Sequence, residues 1–189
     1  MENLIDPFQI TDYNRTTEEL QIFWLFCMMV AGKNATTTSK GLTKLLMGRQ
    51  EGELPFDYLK RQDDLYDFLL SHSTGQYNRL TKGFTQSFGL DLHNGSVSDF
   101  EAIHGIGPKS ARFFVLHSRK GAVCGVLDTH IMKYLQAKTV EELPKGTPPT
   151  RVYGKYEKMF LDCVAVDFPD KTVAEADLHI WTLYKRGEV

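Results

Sequence analysis

The run Ile103-His104-Gly105-Ile106-Gly107-Pro108-Lys109 leaves the chain few ways to fold locally. Ser98-Asp99-Phe100-Glu101 has capping-box spacing, and Phe100 with Ile103 supplies a short apolar face, so a helix is expected from about Ser98 to His104. Gly105 stops it, as a residue able to take positive φ. Ile106 anchors the turn in the core. Gly107 lets another backbone approach closely, and Pro108 at the first position of the next helix loses no hydrogen bond. That helix, 109–119, is expected to carry Phe113, Phe114 and Leu116 inward and to offer Lys109, Arg112, Arg119 and Lys120 to phosphates. Unpaired backbone amides at such a helix N-terminus suit a phosphate oxygen. A Gly-x-Gly turn alone fits an ordinary helical corner equally well. What adds chemistry is Lys109 just inside the helix and Asp128 nineteen residues later.

The rest of the chain reads as helical nearly throughout. Thr16-Thr17-Glu18-Glu19 opens a helix whose Leu20, Phe23, Trp24, Cys27, Met28 and Ala31 form a broad apolar face. Helices follow at about 38–47, 56–71 and 75–88. Beyond the Gly-Ile-Gly turn, the apolar run Val123-Cys124-Gly125-Val126-Leu127 leads to Asp128, which caps a helix over about 129–137. Pro144 to Pro149 makes a rigid loop before a helix at 150–167. Pro169-Asp170 breaks that helix, and Thr172 with Glu175 caps the last one.

Composition sets limits. The chain has 189 residues, enough for one compact domain or two packed subdomains. A net charge of −2 gives no global basic signature, so any affinity for nucleic acid must come from a local face. Between Arg79 and Lys120 six Lys/Arg stand against three Asp/Glu. Three scattered cysteines, Cys27, Cys124 and Cys163, suggest reduced, buried thiols in an intracellular protein. They exclude a four-cysteine iron–sulfur cluster. His104, His117, His130 and His179 lack metal-ligand spacing, so no metal site is expected. The longest apolar run, Ile22 to Ala31, is too short to span a membrane.

Ile103-x-Gly105-Ile106-Gly107-x-Lys109 followed by Val126-Leu127-Asp128-Thr129-His130-Ile131 resembles the helix-hairpin-helix DNA glycosylase superfamily, which includes endonuclease III and the 8-oxoguanine glycosylases. The match is specific over about residues 75–131 and again at the C-terminal end. It implies an all-α fold of two small helical subdomains with an interdomain cleft and a helix-hairpin-helix DNA-binding motif. Residues 1–189 form a single glycosylase domain in this reading. The hairpin and catalytic segment covers about 98–131, and the N- and C-terminal helices, 1–30 and 150–189, form the second subdomain.

The resemblance puts the family's catalytic lysine on Lys109 and its catalytic aspartate on Asp128. Breaking a base–sugar bond builds positive charge on the sugar, which a nearby carboxylate stabilises. Lys109 attacks the sugar carbon only when neutral; desolvation and Arg112 would lower its pKa, and Asp128 would oppose that. The DNA-contacting set then comprises Gly105, Ile106, Gly107, Ser110, Arg112 and His130 near the hairpin, with Lys33, Asn34, Arg79 and Lys82 from upstream. Asn34 matches the polar residue that fills the gap left by an extruded base, or is simply a helix cap. Arg79 and Lys82 are phosphate contacts or a solvated face. The hairpin carbonyls are a possible site for a monovalent cation.

The C-terminal Asp177-Leu178-His179-Ile180-Trp181 and its short glycine-containing tail resemble the archaeal-type 8-oxoguanine glycosylase/lyases. This implies a base pocket from Trp181, Asp177, Phe113 and the carboxylate of Val189. The chain departs from that group at Thr129, where the group has arginine, and at Val189. Phe113 takes the place of a cysteine that helps hold the base in the animal-type enzymes. The expected function is excision of a damaged base, 8-oxoguanine foremost, from double-stranded DNA by a monomer, with AP-lyase cleavage through a lysine Schiff base. The alternatives are a non-catalytic hairpin module that binds DNA, a transferase that modifies bases in place on the same scaffold, or a glycosylase for uracil, thymine or adenine.

Overall fold

The computed structural model describes residues 3–187, with Arg186 described by its backbone alone. Among them are ten helices and no strand, the all-α class expected. The chain divides into two compact units, residues 1–106 and 107–189. Residues 1–30 and 150–189, which the sequence grouped together, therefore fall in different units.

The first unit is built on α1 (Thr17–Met29). Thr16 Oγ1 accepts the Glu19 amide at 3.3 Å, and the Glu19 carboxylate accepts the Thr16 amide at 2.8 Å, so the anticipated capping box forms. The expected apolar face proves too narrow a description. Every residue from Leu20 to Met29 is buried, because Ile22, Leu25, Phe26 and Met29 close the remaining sides. A helix apolar all round belongs inside a core. It packs against α2 (Ala35–Leu45), α3 (Pro55–Lys60) and α5 (Tyr77–Ser87). Trp24 donates its indole proton to Ser87 Oγ at 2.8 Å and lies 5.0 Å from the Phe100 ring. Leaving that buried N–H unpaired would cost about 1–3 kcal/mol.

Three of the boundaries that differ from the sequence reading do so through a cap. Asn34 accepts the Thr37 amide at 3.0 Å and starts α2 at Ala35, three residues early. The span 56–71 is two helices, because Asp64 accepts the Asp67 amide and opens α4 (Leu65–Ser71) separately. The helix expected at Ser98–His104 is α6 (Val97–Glu101). Its cap is Ser96, since the Asp99 carboxylate reaches back to the Ser96 amide at 2.7 Å.

The second unit contains α7 (Pro108–Ser118), α8 (Thr129–Gln136), α9 (Thr150–Asp167) and α10 (Val173–Arg186). Pro108 occupies the first turn of α7 as expected, and the Thr172–Glu175 capping box opens α10. Leu127, Ile131, Leu135, Tyr153, Phe160 and Ile180 are central members of its core. Helix α10 packs against α7, α8 and α9, which brings Asp177 beside His117 in the last turn of α7.

Candidate active site

Asp128 sits where an extended segment turns into α8. Its Oδ1 accepts the amides of His130 and Ile131 at 2.8 and 2.9 Å, an N-cap that fixes the carboxylate at the positive end of the helix. The segment leading to it is held from α9. The Tyr153 hydroxyl donates to the Gly125 carbonyl at 2.8 Å and accepts the Leu127 amide at 2.9 Å. Glu157 accepts the Gly125 amide at 2.9 Å and the Arg112 Nε–H at 2.7 Å. Gly125 fits closely here, since an added Cβ would lie 3.0 Å from Phe160 and 3.4 Å from Glu157 Cγ.

Two side-chain ridges meet beside this cap. On α7, Lys109, Phe113 and His117 follow one another at four-residue steps and so line one side of the helix. The Lys109 ammonium lies 5.6 Å from the Phe113 ring centre, and the His117 ring stands edge-on to Phe113 at 4.9 Å. On α10, Asp177, Trp181 and Lys185 have the same spacing, with the Lys185 ammonium 4.3 Å above the indole. The ridges join where His117 Nε2 stands 3.3 Å from Asp177 Oδ2. His117 is 0% exposed and Asp177 5%. His130 meets Trp181 edge-on at 6.0 Å.

The electrostatics of this cluster centre on Asp177. Burial pushes its carboxyl well above the ordinary aspartate range, the nearby Asp128 charge adds to that, and His117 and Lys109 oppose it. Lys109 and Asp128 thus both lie within electrostatic reach of one buried carboxyl. Two buried polar atoms of the cluster, Asp177 Oδ1 and His130 Nδ1, have no hydrogen-bond partner in the protein. Buried polar atoms are rarely left so, and each calls for a partner from a ligand or water.

Other sequence candidates have more structural surroundings. Ile106 and Ser110 are buried, and their amides donate to Ile103 and Gly107 carbonyls at 3.0 Å, so two of the turn's amides are already engaged. Gly105 has φ +78°, the left-handed conformation expected of it, and Gly107 is the extended N-cap of α7. The Arg112 guanidinium is committed to Glu157, the Pro108 carbonyl and the Tyr153 ring. Arg79 donates to the Met28 and Gly105 carbonyls and to Gln76. Lys33 donates to the Thr74 carbonyl, and burial lowers its pKa. Lys82 is exposed on α5. Asn34 is an exposed helix cap. Phe113 is only half-buried, in contrast to the inward position expected. Val189 lies outside the described residues.

Sequence reasoning passed over His117, Tyr153 and Glu157 as site residues. His117 reads from the sequence as a lone histidine, although its four-residue step from Phe113 puts it on the Lys109 ridge. Tyr153 and Glu157 carried no signal of their own: their role depends on α9 lying against the Gly125 backbone.

No family model matches the sequence, and no curated protein does. A solved structure is similar to it: the 8-oxoguanine glycosylase/lyase of Methanocaldococcus jannaschii, crystallised with a 15-mer DNA containing 8-oxoguanine. The two share 20% sequence identity with a TM-score of 0.65, over 93% of this chain and 85% of that one. The chain therefore has the all-α fold of that glycosylase.

Proposed function

We propose that this chain is a DNA glycosylase with an associated AP-lyase step, acting on 8-oxoguanine in double-stranded DNA. The observation that carries the reading is the Asp128 carboxylate fixed at the N-terminus of α8, beside the His130–Trp181 ring contact and two buried polar atoms, Asp177 Oδ1 and His130 Nδ1, that have no protein partner. The shared fold with a glycosylase/lyase supports it. The protein would work as a monomer on intracellular DNA.

The reaction follows from the charges. An extruded nucleotide, at a cost of a few kcal/mol in stacking and pairing, would bring its base against Trp181 with His130 and Phe113 nearby. As the bond between the base and C1′ breaks, its electron pair leaves with the base and the sugar becomes cationic. Asp128, fixed by its cap bonds, stabilises that charge. The Lys109 lone pair forms the new bond to C1′, and ring opening gives the imine from which β-elimination cuts the strand. This route needs no cofactor.

The reading is tested on a panel of duplexes carrying 8-oxoguanine, uracil and mismatched bases, with base release and strand cleavage measured separately. Release of 8-oxoguanine, slowed about 100-fold or more in Asp128→Asn with DNA binding retained, is the expected result. Binding without release on any duplex would leave a hairpin binding module. A base altered in place, with its glycosidic bond intact, would point to a transferase.

A further inference from the structure

We infer that Lys185 sets which damaged bases the Trp181 face accepts, admitting neutral bases and turning away cationic, N-alkylated ones. The inference rests on the glycosylase reading above and adds a residue that reading leaves unused. Lys185 stands four residues after Trp181 on α10, the spacing that stacks two side chains on one helix face. Its ammonium lies 4.3 Å from the centre of the indole, over the ring. The His130 ring, from the first turn of α8, stands nearly perpendicular to the same indole at 6.0 Å. The indole is thus held by groups from two helices, and one of them brings a positive charge onto its π surface.

A cation over an aromatic face is drawn by the negative charge of the ring quadrupole. Lys185 already uses that attraction, so a cationic base gains less by stacking on Trp181 than it would on an indole without this lysine. Repulsion acts in the same direction. A base stacked on the far face, at ordinary contact distance, lies about 8 Å from the ammonium. A base stacked on the near face would have to displace it. A base that carries a full positive charge is therefore disfavoured on either face, whereas a neutral base with carbonyl oxygens meets no such repulsion. The opposing influence is Asp128, a carboxylate fixed at the head of the helix that carries His130, which on its own would draw cations in. Lys185 offsets that pull at the surface where the base is stacked.

The test compares release of 8-oxoguanine with release of 7-methylguanine, a cationic base, from otherwise identical duplexes, each rate corrected for spontaneous loss. In Lys185→Met the ratio of 7-methylguanine to 8-oxoguanine release is expected to rise about tenfold or more over wild type, the scale of two like charges about 8 Å apart near a protein surface. Lys185→Gln, also uncharged, should raise it as far. Lys185→Arg keeps both the charge and the stacking and should hold the ratio near the wild-type value. An unchanged ratio in Lys185→Met, or no release of 7-methylguanine by that variant, would overturn the assignment. A ratio that shifts as far in Lys185→Arg as in Lys185→Met would also overturn it, because shape rather than charge would then select the base. The two claims fail separately. No release of 8-oxoguanine by the wild type would end the glycosylase reading and this proposal with it, whereas release with unmoved ratios would end the proposal alone.

Discussion

The Tyr153 hydroxyl accepts the amide proton of Leu127 at 2.9 Å, one residue before Asp128. With its second bond, to the Gly125 carbonyl, it holds the segment that delivers the carboxylate. Tyr153→Phe leaves two buried backbone groups unpaired. It is expected to lower the unfolding free energy by about 1–3 kcal/mol in urea titrations. Base release should fall about tenfold, since a misplacement of about 1 Å costs more than that. Imine formation at a pre-formed abasic site, where no glycosidic bond remains to break, should be spared. Equal losses on both substrates would show that Tyr153 does not act through Asp128.

Gly125→Ala tests the same segment from the other side. The added Cβ would crowd Phe160 and Glu157, and overpacking of this kind costs about 1–3 kcal/mol. A thermal melt should show a clear fall in Tm. An unchanged Tm would mean that α9 yields without cost.

Arg79 and Lys82 lie three residues apart on α5 and should behave differently. Arg79 is bonded to two backbone carbonyls and Gln76, whereas Lys82 is exposed. Arg79→Ala is expected to lower stability by about 1–3 kcal/mol. Lys82→Ala is expected to weaken DNA binding and reduce the slope of log affinity against log salt by about 1. Salt titrations of binding alongside unfolding curves distinguish the two roles.

The buried Asp177 should cost the fold stability near neutral pH. Burial raises its folded pKa above the unfolded value of about 3.9, so the folded state holds that proton more tightly. The stability this proton contributes is complete below the unfolded pKa and is lost as pH rises through the folded one. Asp177→Asn lacks that loss. Its Tm relative to wild type should rise with pH from about 4 upward and stay higher at neutrality. A Tm difference independent of pH would show that Asp177 does not titrate in this way.

The local rules were legible and the tertiary ones were not. Pro108 after Gly107, the Thr16–Glu19 box and Asp128 as a cap follow from short-range hydrogen bonding, and the fold keeps all three. The helix at 97–101 was displaced because Ser96 and Ser98 both offer a hydroxyl, and only the position of Asp99 selects Ser96. Arg112 reads from the sequence as a phosphate contact, and Arg79 as a phosphate contact or part of a solvated face, because a sequence does not show which carbonyl or carboxylate will reach a guanidinium first. The His117–Asp177 contact spans sixty residues and depends on α10 lying against α7. No local pattern encodes that.

The proposed reaction turns on a covalent bond between Lys109 and the sugar. Borohydride reduction during turnover on an 8-oxoguanine duplex, followed by proteolysis and mass spectrometry, locates the bond directly. The predicted result is one adduct, on the peptide containing Lys109, absent from Lys109→Gln. An adduct on another lysine or on the N-terminal amine, or base release with no adduct at all, would contradict it.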